Sequence, residues 1–124
     1  TGARFSATMG RLIKGYSDEQ IGELAAYFSK KPWTPVAQKT DMALVKKGQA
    51  AAKKCAGCHG ETGASEDKET PSLNGQWAQY MELELMKYRD DAVTMPNKQM
   101  RNAARKLDEA DVKAAAEFYA SQKK

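Results

Sequence analysis

Histidine and cysteine are almost missing from this 124-residue chain, which holds one of the first and two of the second. That scarcity excludes a scaffold stapled by several disulfides and any metal site that needs more than one imidazole. Stretches that alternate apolar and polar residues with β-branched side chains are absent too, so strands are not expected. No apolar run approaches the about 20 residues that a membrane-spanning helix needs, because Lys, Glu or Gly breaks each one. Thr1 opens no export signal with a charged start, an apolar centre and a small-residue cleavage site, which says nothing about compartment. Long basic runs are lacking as well. Residues 1–40 hold six Lys or Arg against three Asp or Glu, while 41–124 hold fourteen against thirteen, so the net charge of +4 sits mostly in the first third. In the rest, Lys46, Lys47, Lys53 and Lys54 are answered by Glu61, Glu66 and Asp67. With no nucleic-acid motif beside them, these charges read as a solvated surface, and nucleic-acid binding is not expected.

What is present is helical periodicity. Ser17 caps a segment to Ser29 in which Asp18 and Glu19 suit a helix N-terminus and Ile21, Leu24, Ala25 and Phe28 share one face. A second helix is expected over about Asp41 to Lys54, with Leu44, Val45, Gly48 and Ala52 on one face, and a third over about Gln76 to Arg89, with Trp77, Tyr80, Met81, Leu85 and Tyr88. A fourth starts at the Asp108 cap and runs through Val112, Ala115, Ala116 and Tyr119 to the C-terminus. Gly60 to Pro71 and Met95-Pro96-Asn97 read as loops, and two prolines in Lys31-Pro32-Trp33-Thr34-Pro35 force an extended connector that marks a domain boundary. The expected class is all-α.

An internal repeat appears at an offset of 91 residues. It places Met9 over Met100, Tyr16 over Leu107, Ser17 over Asp108, Ile21 over Val112, Ala25 over Ala116, Tyr27 over Phe118 and Phe28 over Tyr119. Residues 1–38 are accordingly expected to be the tail of a preceding domain plus a Pro-containing linker, and 39–124 the complete domain. The rival reading is that any two amphipathic helices can be made to match.

All three scarce residues fall in Cys55-Ala56-Gly57-Cys58-His59. Two thiols that can add to two vinyl groups, followed at once by an imidazole, form the attachment motif of a c-type haem, with Cys55 and Cys58 as covalent anchors and His59 on the iron. A zinc site lacks its further Cys or His ligands, a thioredoxin-like dithiol wants a βαβ setting, and a structural disulfide leaves His59 without a role. The second axial position falls to a thioether. Met42, Met81 and Met86 lie inside expected helices and read as core filler. Met95 and Met100 lie on the loop after the third helix. Met100 is preferred, because it and Met9 each stand eight residues before a helix cap, and Met95 is the alternative. The other ring nitrogen of His59 needs a fixed acceptor, for which Pro71 is the candidate. Gly48 lets the last helix cross closely, under Phe118 or Tyr119. Trp77, Tyr80 and Arg89 either bond haem propionates or pack.

With Cys-Ala-Gly-Cys-His-Gly, then Pro71-Ser-Leu-Asn-Gly-Gln76, a middle helix, a methionine loop and a capped last helix, the sequence resembles the small bacterial cytochromes c with His and Met ligation. Gly75-Gln76-Trp77 with Tyr80, Tyr88-Arg89 and the Phe118-Tyr119-Ala-Ser-Gln ending are most similar to the cytochrome subunit of flavocytochrome c sulfide dehydrogenase. The resemblance implies a small cytochrome c fold preceded by the C-terminal helix segment of an incomplete second cytochrome c-like domain. It also implies a periplasmic electron-transfer subunit that is no enzyme by itself. Such a subunit takes electrons from an FAD-containing, sulfide-oxidising flavoprotein in a heterodimer and passes them to a soluble acceptor such as another cytochrome c. In that pattern His59 and Met100 are the axial ligands and Met9 belongs to a first haem, whose own motif would lie about 36 residues before Thr1 by the 91-residue offset. Either the chain continues before Thr1, or it keeps one haem and a remnant in which Met9 has no iron.

Overall fold

A computed structural model describes residues 6–123, and residues 1–5 of the expected first segment lie outside them. Seven α-helices follow one another, with no strand among the described residues. They are α1 (Ala7–Leu12), α2 (Asp18–Ser29), α3 (Met42–Ala52), α4 (Ala56–His59), α5 (Ala78–Asp90), α6 (Lys98–Ala104) and α7 (Glu109–Ser121). A 3-10 turn at Ile13–Gly15 joins the first two. Side chains cap α2, α3 and α7 as their residue types dictate. Ser17 and Gln20 form a reciprocal capping box on α2, Asp41 accepts from the Ala43 and Leu44 amides, and Asp108 accepts from Asp111 at 2.7 Å.

The core lies where α7 crosses α3, and α5 also packs on α7, adding Met81 to the same cluster. Gly48 makes the crossing possible: a Cβ there would collide with the Ala114 carbonyl oxygen and stand 2.7 Å from the Phe118 Cβ. Of the two aromatics that the sequence offered, Phe118 covers Gly48. Tyr119 turns instead toward Ala52, whose carbonyl accepts its hydroxyl at 3.3 Å. Burying the face Val112, Ala115, Ala116 and Phe118 is what holds α7 in place, at about 25 cal/mol per Å² of apolar surface removed from water.

Two expectations need correction. Met100 does not lie on a loop but is the third residue of α6, which Asn97 caps by accepting from the Met100 amide at 2.9 Å. Met42 is no core filler: it opens α3 with 62% of its surface exposed, since that helix buries Gly48, Ala51 and Ala52 toward its other end. Met81 is buried, as its place on α5 requires.

Candidate haem attachment site

The helix α3 ends at Ala52, and the chain turns directly into α4, a single turn that carries the motif. The Ala52 carbonyl accepts from the Cys55 amide at 2.9 Å, and the Cys55 carbonyl accepts from Cys58 at 3.1 Å and from His59 at 3.0 Å. One turn of helix thus presents both sulfurs and the imidazole together, and both cysteines are free thiols. Cys58 is exposed, whereas Cys55 is half-buried beside Tyr119. Burial pushes the Cys55 thiol above its ordinary pKa, against a smaller opposing pull from the Tyr119 hydroxyl.

His59 is buried, and its Nδ1 lies 3.0 Å from the Pro71 carbonyl oxygen. A carbonyl can only accept, so Nδ1 carries the proton and donates, which leaves Nε2 with a lone pair and no hydrogen-bond partner among the described residues. The loop that brings Pro71 there turns twice through glycines. Gly63, at φ +83, accepts from the Leu73 amide at 2.7 Å, and Gly75, at φ +68, donates to the Tyr119 carbonyl at 2.8 Å. A side chain at Gly63 would stand 2.6 Å from the Tyr119 ring, so this loop needs glycine for space as well as for its backbone.

The other residues singled out above lie in different settings. Met95 is buried at 2% exposure in the loop before α6, Met100 is half-buried on that helix, and Met9, the third residue of α1, is 56% exposed. Trp77, at the start of α5, and Tyr80, in its first turn, stand about half exposed. Arg89 is engaged with its neighbour Asp90 at 2.6 and 3.0 Å. Trp33 was not singled out, yet its indole N–H donates to the Asn74 carbonyl at 2.7 Å. The signal available was a tryptophan between two prolines in an otherwise polar connector.

These residues fit a haem c. Two unpaired thiols one turn apart are followed by an imidazole one of whose nitrogens is already committed, and among the described residues no cluster of three His, Cys, Asp or Glu offers a different metal a cage. An all-helical domain with this motif at the end of its first core helix defines the class of haem c-binding electron carriers.

The comparisons agree. The family model described as cytochrome c oxidase, cbb3-type, subunit III matches residues 43–118, and the chain belongs to that family of cytochrome c domains, with haem c as its cofactor. It is 32% identical to cytochrome c4 of Azotobacter vinelandii, over 89% of this chain and 57% of that protein. It is 30% identical to the thiosulfate dehydrogenase electron acceptor of Thiomonas intermedia (strain K12), over 98% of this chain and 61% of that protein. The crystal structure of reduced recombinant cytochrome c4 from Pseudomonas stutzeri superposes with a TM-score of 0.77 at 28% identity, over 96% of this chain and 68% of the other. The chain therefore spans roughly three fifths of the length of the curated relatives it matches.

Proposed function

We propose that this chain carries single electrons on one haem c held through Cys55 and Cys58, with His59 and Met100 as axial ligands and Met95 as the competitor for the second position. The observation that carries the reading is the bond from His59 Nδ1 to Pro71: it fixes the tautomer and aims Nε2 before any iron is bound. Bound there, haem c supplies an iron that changes oxidation state by one electron. With haem bound, the buried His59 would hold the iron from one side and the thioether of Met100 or Met95 would supply the second ligand, which suits a carrier.

The likeness to cytochrome c4 and to a protein named as an electron acceptor favours a freestanding carrier, with a donor that oxidises an inorganic sulfur compound. In this reading residues 1–38 are the tail of a preceding cytochrome c-like domain with its linker, and 39–124 are the haem domain. The helix bounds support the division, since α1 and α2 begin 91 residues before α6 and α7. The narrower reading is a periplasmic subunit docked on an FAD-bearing sulfide-oxidising flavoprotein. It is favoured by the row Trp77, Tyr80 and Leu83 along α5, three large apolar side chains about half exposed. No helix among the described residues is long and apolar enough to cross a membrane.

Absorption of the oxidised protein tests the ligand set. Met100→Ala should abolish the sulfur-to-iron charge-transfer band and Met95→Ala should keep it. The reverse assigns Met95, and a wild type that lacks the band and binds carbon monoxide readily when reduced overturns the carrier reading. Purification as a stable complex with a yellow flavoprotein would establish the narrower form, and a stable free monomer would rule it out.

A further inference from the structure

We propose that the connector Trp33–Gln38 is a strap that positions His59, by clamping the outer side of the loop whose Pro71 carbonyl holds the imidazole. The extended backbone that two prolines dictate does not run free. Trp33 Nε1 donates to the Asn74 carbonyl at 2.7 Å, the Val36 amide donates to the Gly75 carbonyl at 2.7 Å, and Gln38 Nε2 donates to the Gln76 carbonyl at 2.9 Å. Gln38 also accepts from the Ala78 amide at 3.1 Å, so this one side chain ties the loop to the first residue of α5. Contact is close enough that a Cβ at Gly75 would collide with the Pro35 side chain and stand 2.6 Å from the Pro35 Cα.

From inside, the same turn is held by α7, through the Gly75 amide on the Tyr119 carbonyl at 2.8 Å. Residues 74–76 are therefore gripped between α7 and the connector. Pro71 lies three residues before that grip, and between them the Gly63 carbonyl accepts from the Leu73 amide at 2.7 Å and from the Asn74 amide at 3.4 Å, while the Leu73 carbonyl accepts from the Gln76 amide at 3.1 Å. A carbonyl that must fix an imidazole to within a fraction of an ångström gains rigidity from whatever limits the opening of its loop. The strap supplies three of the donors that do so, from residues of the connector between α2 and α3. Trp33, Val36 and Gln38 are positioning residues in this scheme.

The proposal rests on His59 being an axial ligand, and the test separates the two. In the haem-loaded protein, exchange of the His59 Nδ1 proton with deuterium is followed by NMR for the wild type, Trp33→Phe and Gln38→Ala, with the Val112 amide as a reference for the core. Each lost hydrogen bond should speed Nδ1 exchange by about fivefold, so Gln38→Ala, which loses two, should exceed Trp33→Phe, while Val112 stays unchanged. The midpoint potential should shift in the same order. Unchanged Nδ1 exchange in both variants overturns the proposal, and so does a parallel acceleration of Nδ1 and Val112, which means general loosening. If Trp33→Phe fails to load haem, the half-buried polar change Gln38→Ala still decides. An oxidised wild type without iron-shifted His59 resonances removes the ligand reading itself, and the strap's role with it.

Discussion

Two helices of this chain carry the same pattern and meet opposite fates. In α7, Val112 is fully buried and Ala116, Phe118 and Tyr119 are nearly so. In α2, the counterparts Ile21, Ala25, Tyr27 and Phe28 are half-buried at best, and Phe28 reaches 65% exposure. Local structure is not the difference. Both helices have a capped start, acidic residues in the first turn and an edge-on aromatic pair with centroids 5.2 Å apart. The difference is tertiary: α7 has α3 across it, whereas among the described residues no helix packs extensively on α2, and Tyr16, Leu24 and Tyr27 line an open groove of about 290 Å³. Periodicity and caps form a helix, but burial needs a partner with a residue as small as Gly48 at the crossing.

The largest contrast should come from a charge placed at matched positions. Val112→Asp puts an unpaired carboxylate in the core and should destabilise the haem-loaded protein by about 4 kcal/mol, whereas Ile21→Asp should stay within about 0.5 kcal/mol. Denaturant melts followed at the haem absorption and by far-ultraviolet dichroism measure both. Equal effects would break the comparison and mean that α2 is covered in solution. Glycines give the next contrast. Gly48→Ala forces a methyl into the Ala114 backbone and should cost about 1–3 kcal/mol. Gly22, in the middle of α2, has nothing within 4 Å of an added Cβ, so Gly22→Ala should stabilise that helix by about 0.5–1 kcal/mol, read from its thermal helix loss.

How far the sequence reveals this molecule follows the same division. Helices with strong periods and side-chain caps were legible to within two or three residues, as Ser17, Asp41 and Asp108 show. The Pro71 acceptor was legible because an iron-bound imidazole must donate its other proton. The short helices α1 and α6 were not, since six or seven residues around a methionine show too little period, and only the Asn97 cap announces the second. The connector was half legible: proline dictates an extended backbone but says nothing of what that backbone grips. Nor does periodicity tell Phe118 from Tyr119, which share a face and part only where Gly48 lets one through.

The smallest predicted effect concerns Tyr119, whose counterpart Phe28 has no hydroxyl. Removing that hydroxyl in Tyr119→Phe costs the bond to the Ala52 carbonyl, about 1 kcal/mol near neutral pH. Burial raises the Tyr119 pKa far above the ordinary 10. The folded state thus keeps its proton where the unfolded chain gives it up. A group raised in this way contributes its full stability below pH about 10 and loses it progressively as the pH climbs above that value. Wild-type stability should therefore fall more steeply than that of Tyr119→Phe between about pH 10 and 11, and the gap between the two should narrow. Phe28→Tyr in α2 should add no such slope, because an exposed phenol ionises alike in both states. Parallel alkaline melting curves for wild type and Tyr119→Phe would show that the Tyr119 hydroxyl is open to water in solution, and that the two aromatic pairs differ less than their burial indicates.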